Sequence, residues 1–170
     1  QNPVPVKSPE LVIINKDLTG QLQNHMLLFF TGLSRYASDI AKDKIANFKN
    51  HFRELTQMKE MVNEGLSILQ SNSDSIKDLG KLLHESWELK RSLSTKVSTP
   101  QIDEIYKSGI ESGAIGGKIL GAGGGGFILF IAKPENHEKI RTRLKNLVHV
   151  SFKFNNTGSK IVVYEPNGFT

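Results

Sequence analysis

An α+β domain with an antiparallel sheet follows from two features of this sequence. Apolar residues recur at helical spacing through the first two thirds, and after Gly113 the period changes to the alternation of strands. The resulting order, helices followed by strand, strand, helix, strand, strand, calls for helices packed against one sheet. At 170 residues, with 38% hydrophobic and 23% charged positions, the chain can bury one sizeable core but is short for a two-domain enzyme.

The elements read in order as follows. Val4–Val6 and Leu11–Ile14 are short β segments, held to edges or irregular connections by Pro3, Pro5 and Pro9. Gln21–Phe30 leads into the apolar run Met26–Phe30, a strand or helix end, and Thr31-Gly32 turns the chain into a helix starting near Arg35 with Ser34 as its cap. Ile40, Phe48, Phe52, Leu55, Met58, Val62, Leu66 and Leu69 mark one or two amphipathic helices between Tyr36 and Ser71, and Ser71–Ser75 breaks them. Another helix covers Ile76–Leu93, with Lys90 and Arg91 in its last turn. Thr99-Pro100 starts the next, with proline at the first helical position. Ala114–Leu120 and Phe127–Ala132 are strands, Pro134–Leu147 a helix, and Val148–Phe154 and Lys160–Glu165 strands joined through Asn155–Gly158.

Composition excludes several function classes. With no cysteine, the chain has no thiolate nucleophile, Cys-ligated metal or disulfide, which fits a cytoplasmic protein. Its longest apolar run, Phe127–Ala132, is far below the roughly 20 residues that span a bilayer, so no membrane association is expected. The net charge is +5, and ten basic against six acidic residues follow Thr95. That balance suits a small anion; the bases are too dispersed for nucleic acid. The five histidines are scattered at 25, 51, 84, 137 and 149, and no metal-ligand spacing appears, so no metal site is assigned. The chain opens at Gln1 in strand-like alternation, which reads as a segment of a longer protein.

Eight of the 15 glycines fall between Gly113 and Gly126, most densely in Gly121-Ala122-Gly123-Gly124-Gly125-Gly126. Consecutive glycines let the backbone take positive φ and bring bare N–H groups to an anion, the requirement for a phosphate cradle. Gly121, Gly123 and Gly126 match the dinucleotide-binding spacing, but that motif needs a helix next, and Phe127–Ile131 reads as a strand. A Walker A loop fails too, because Phe127 stands where Lys-Ser/Thr would follow. The competing reading is a glycine-kinked hairpin without a ligand. Other anion-binding candidates are Thr31, Gly32, Ser34 and Arg35 at the turn into a helix, Lys90 and Arg91 at a helix end, and Lys118 before the glycine tract. Each has a plain alternative: a helix cap, cations complementing a helix C-terminus, or a solvent-facing strand residue.

Lys118-Ile-Leu-Gly-Ala-Gly-Gly-Gly-Gly-Phe127, leading into a strand and a helix, resembles the third, C-terminal motif of the GHMP kinases. Leu27–Ser38 (LLFFTGLSRYAS) and Leu83–Ser94 (LHESWELKRSLS) running into Ile102–Tyr106 narrow the resemblance to the bacterial D-glycero-D-manno-heptose 7-phosphate kinases, with fucose kinases next. The resemblance implies a ferredoxin-like α+β fold with several helices, residues 34–170 forming the C-terminal domain and 1–33 the tail of the N-terminal domain or connecting strands. It implies ATP-dependent phosphorylation of the anomeric hydroxyl of a heptose 7-phosphate, with Mg²⁺. Gly121–Gly126 would then border the ATP phosphates, and Thr31, Gly32, Ser34, Arg35, Lys90, Arg91 and Lys118 the sugar phosphate. The N-terminal half of the kinase, which carries the ATP loop and catalytic base in this family, would be the partner, and no catalytic residue is assigned here. A second copy of the chain is a further expected partner, through the opening strand. A fucose-type kinase and a non-catalytic module holding an anionic regulator are the alternatives.

Overall fold

The structure, a computed structural model, describes residues 14, 16–33, 38, 42, 45, 48–71 and 75–155. Helix α1 (Lys16–His25) runs directly into strand β1 (Met26–Phe30). Helices α2 (Phe52–Gln70), α3 (Ser75–Ser92) and α4 (Pro100–Glu111) follow. Strands β2 (Ala114–Ile119) and β3 (Phe127–Ala132) then form a hairpin, and helix α5 (His137–Arg143) leads to β4 (Val148–Val150). The sheet order is β2-β3-β1-β4 and every pairing is antiparallel, the arrangement of a ferredoxin-like α+β fold.

Strand β1 is central: Met26 to Phe30 pair with Ile131 to Phe127 on one side, and Leu28 and Phe30 with Val150 and Val148 on the other. The sheet therefore draws in residues from the 1–33 segment. Leu27 and Phe29 alternate into a core with Trp87, Ile102, Tyr106, Ile128, Phe130 and Ile140, all at most 5% exposed. Burying side chains of this size contributes about 1.5–3 kcal/mol each before entropy is counted. Helix α3 covers the edge strand β2, and two glycines make the approach close. A Cβ built on Gly116 would lie 1.9 Å from the Gly80 carbonyl oxygen.

Some predicted boundaries shift. Helix α1 replaces the simple approach to Met26; Gly20 near its middle hides it, although Leu22 is buried and Asp17 favours the first turn. The helix expected over Pro134–Leu147 is a 3₁₀ turn at Pro134–Asn136 followed by the shorter α5. The Asn136 side chain donates to Gly113 O at 3.1 Å, tying that turn to the end of α4. Strand β4 stops at Val150 because the Gln23 amide takes over: its Nε2 donates to Phe152 O, and its Oε1 accepts from Phe154 N. The elements expected at Val4–Val6, Leu11–Ile13, most of Tyr36–Asn47 and Lys160–Glu165 lie outside the described residues; Ile14 is described and is not in a strand. Among the described residues, no helix is long and apolar enough to cross a membrane.

Candidate functional site

The glycine tract joins β2 to β3, and its backbone is left-handed almost throughout. Gly121, Gly123, Gly124, Gly125 and Gly126 all have positive φ, between +73° and +152°. L-residues avoid this region, so the composition of the loop is a conformational requirement. Close packing adds a second reason at two positions. A Cβ on Gly123 would stand 2.7 Å from Val97 O, and one on Gly125 2.3 Å from Leu33 O. At Gly121 and Gly126 a Cβ would meet nothing within 4 Å, so open space borders both ends of the loop.

Two neighbouring segments pin the loop. Thr31 donates its backbone N–H and its hydroxyl to Gly126 O, each at 2.8 Å, and Gly126 N–H donates to Leu33 O at 2.8 Å. On the other side Gly124 N–H donates to Val97 O at 2.8 Å. The N–H groups of Gly121, Gly123 and Gly125 have no protein acceptor among the described residues. Three donors therefore remain for an anion or water, while two of the loop's N–H groups are spent on holding its shape. Leu33 and Val97 bond the loop through main-chain carbonyls, which no sequence pattern marks.

The predicted site residues separate into two groups. Thr31 and Gly32 lie beside the loop: Thr31 is buried, and Gly32 is exposed with φ +71°. Ser34 and Arg35 lie outside the described residues. Lys90 reaches the loop from beneath; it is 6% exposed, and its Nζ donates to Ile119 O at 3.3 Å and to Gly121 O. Arg91 is held elsewhere, by Glu88 at 3.0 Å and Asp103 at 3.1 Å, with its guanidinium 6.0 Å from the Trp87 ring centre. Lys118 turns toward α3, where its Nζ donates to Ser86 Oγ at 2.9 Å, and burial holds its ammonium below the usual lysine range. Behind these residues His84 Nδ1 and Tyr106 Oη lie 2.6 Å apart, and burial pushes the Tyr106 phenol well above its ordinary value.

The loop fits a nucleotide phosphate or a transferred phosphoryl group: it has backbone donors without an acceptor among the described residues, open space at Gly121 and Gly126, and a pinned shape. Among the described residues no cluster of His, Asp or Glu is placed to hold a metal ion.

The sequence profile of the GHMP kinases C-terminal family matches residues 67–149, which include α3, α4, the glycine loop, β2, β3 and the start of β4. The D-glycero-alpha-D-manno-heptose 7-phosphate kinase of Campylobacter jejuni is 29% identical over 147 residues, 84% of this chain and 43% of that protein. The L-fucokinase/L-fucose-1-P guanylyltransferase of Bacteroides fragilis is 30% identical over 118 residues, 68% of this chain and 12% of that protein. The chain thus spans less than half the length of these curated relatives. The crystal structure of the Methanococcus jannaschii mevalonate kinase shares the fold, with a TM-score of 0.65 at 24% identity, over 84% of this chain and 44% of that one. Profile and fold agree, and through residues 67–149 the chain belongs to the GHMP kinase C-terminal domain family.

Proposed function

We propose that this chain is the C-terminal half of an ATP-dependent kinase that phosphorylates the anomeric hydroxyl of D-glycero-D-manno-heptose 7-phosphate. The observation that carries the proposal is the pinned loop Gly121–Gly126, which offers unpaired N–H groups from a backbone shape that side chains would prevent. Phosphoryl transfer depends mainly on positioning and on stabilising charge at the transferred group, and fixed main-chain donors do both. In this reading Gly121, Gly123 and Gly125 contact phosphate oxygens, with Ala122, Gly124 and Gly126 shaping the loop. Thr31 and Gly32 form the wall beside the loop, where the sugar phosphate docks. Lys90 acts through the loop by fixing Gly121, and Arg91 through α3 and the start of α4. The ATP loop and catalytic base belong to an N-terminal half, and Mg²⁺ enters on the nucleotide, with phosphates and water supplying most of its shell. We place this activity in the cytoplasm.

The identity to the Bacteroides fragilis fucokinase favours a second reading, in which the substrate is fucose. Coupled ADP release from Mg-ATP by the full-length protein containing this chain separates the two. Turnover with heptose 7-phosphate supports the proposal, turnover with fucose alone moves it to the second reading, and no turnover with any sugar or with mevalonate overturns the kinase assignment.

A further inference from the structure

We propose that the groove between α2 and α3 binds an aliphatic carboxylate, its chain along the helices and its head group on Lys118. The groove is a cavity distinct from the glycine loop, and its ligand does not depend on the kinase assignment. It is a groove open to solvent on one side, with a volume of about 580 Å³, within the usual range for small-molecule sites. On α2 its wall is Met58, Met61, Val62, Gly65, Leu66 and Leu69, the single stripe given by steps of three and four residues. Leu79, Leu82, Leu83 and Ser86 continue it on α3 by the same spacing.

Lys118 is the one charged side chain among the described lining residues. Its ammonium carries three donors, and the only partner the described residues give it is the Ser86 hydroxyl. No carboxylate pairs with it among the described residues, whereas Lys81, Lys107 and Lys133 each have one. A partly buried cation lining an apolar groove, without a counter-charge among the described residues, is complementary to a molecule with an apolar tail and one anionic end. The head-group geometry favours a carboxylate: one oxygen accepts from Lys118 Nζ and the other from Ser86 Oγ, whereas a phosphate would call for more donors than this pair supplies. At Gly65 the two helices are close: a Cβ there would be in ordinary van der Waals contact with Leu82 Cδ2 at 3.4 Å.

Two of the chain's three methionines, Met58 and Met61, line the groove, and Met26 lies in β1, so methyl groups report binding directly. The full-length protein, labelled with ¹³C-methyl methionine, is titrated with octanoate, octyl phosphate, octanol and acetate, with affinities measured by calorimetry. The expected result is saturable binding of octanoate that shifts the Met58 and Met61 methyls and leaves Met26 in place. Octanol is expected to bind roughly tenfold more weakly, the loss of one charge-assisted contact, and acetate not at all. Lys118→Met should bring octanoate down to the level of octanol. Should that variant not fold, Val62→Glu, at a position 69% exposed, puts a carboxylate on the groove wall and should weaken octanoate while sparing octanol. Absence of methyl shifts with octanoate, as when another part of the protein fills the groove, overturns the proposal. So does equal binding of octanol and octanoate, a Lys118→Met or Val62→Glu protein that folds and binds octanoate like the parent, or a marked preference for octyl phosphate.

Discussion

Thr31 gives both its backbone N–H and its hydroxyl to one acceptor, the carbonyl oxygen of Gly126, each at 2.8 Å. That oxygen ends the glycine loop, so the residue that follows β1 and the residue that precedes β3 are locked together. The same hydroxyl accepts from Leu33 N–H at 3.2 Å. Thr31→Val keeps the volume and removes these side-chain bonds. It is expected to cost about 1–2 kcal/mol in denaturant unfolding and to lower turnover by loosening the loop. Unchanged stability would separate the hydroxyl from the loop.

The two kinds of glycine in the tract should respond differently. Gly125→Ala places a methyl group against Leu33 O, so the segment after β1 must move; about 1–3 kcal/mol of stability and most of the activity should be lost. Gly121→Ala meets open space and bears only the left-handed backbone strain, about 1–2 kcal/mol. Thermal melts and turnover for the pair test the difference, and equal effects would contradict the packing assigned to Gly125.

Lys90→Met removes the donor to Ile119 O and Gly121 O from a buried position while keeping the apolar stem. Leaving buried acceptors short of a partner costs about 1–3 kcal/mol. Hydrogen exchange at the bonded amides of Leu120, Gly124 and Gly126 should accelerate more than exchange in β1. A variant with ordinary loop exchange but weaker sugar-phosphate affinity would instead make Lys90 a direct ligand.

Acid should destabilise the domain through two histidines. Partial loss of hydration, the largest cause for each even though His149 is exposed at the surface, lowers His137 and His149 below the ordinary value of 6.5, with Arg141 adding repulsion to both. The unfolded chain therefore binds more protons than the folded one at mildly acidic pH, and the slope of stability against pH is positive there. Stability is expected to be full above pH 6.5 and to fall as the pH drops toward the folded values. Replacing both with glutamine should flatten unfolding free energy measured across pH 5 to 7, the interval in which an ordinary histidine titrates.

Much of this arrangement was legible in the residues. Thr99-Pro100 predicts a helix start, and Thr99 Oγ1 does accept from Ile102 N–H at 3.2 Å. The short unbroken apolar run Phe127–Ala132 after the glycines gave β3, and the density of glycine marked the loop. What stayed hidden depends on main-chain contacts between distant segments. Nothing in Leu33 or Val97 announces a carbonyl that receives a glycine N–H, and Gly116 reveals its purpose only when Gly80 lies against it. Lys90 and Arg91 look alike in sequence, but one is buried under the loop and the other is taken by Glu88 and Asp103. Helix periodicity fixes which face a residue occupies, and neighbours then decide its role.

The central claim is that the unpaired amides of the glycine loop receive phosphate, and ¹⁵N-glycine NMR of the full-length protein tests it most directly. On addition of a non-hydrolysable ATP analogue with Mg²⁺ and heptose 7-phosphate, the amides of Gly121, Gly123 and Gly125 should shift and become protected from exchange. Those of Gly124 and Gly126, already bonded to Val97 and Leu33, should change little in protection. Tight nucleotide binding that leaves Gly121, Gly123 and Gly125 unperturbed would contradict the account.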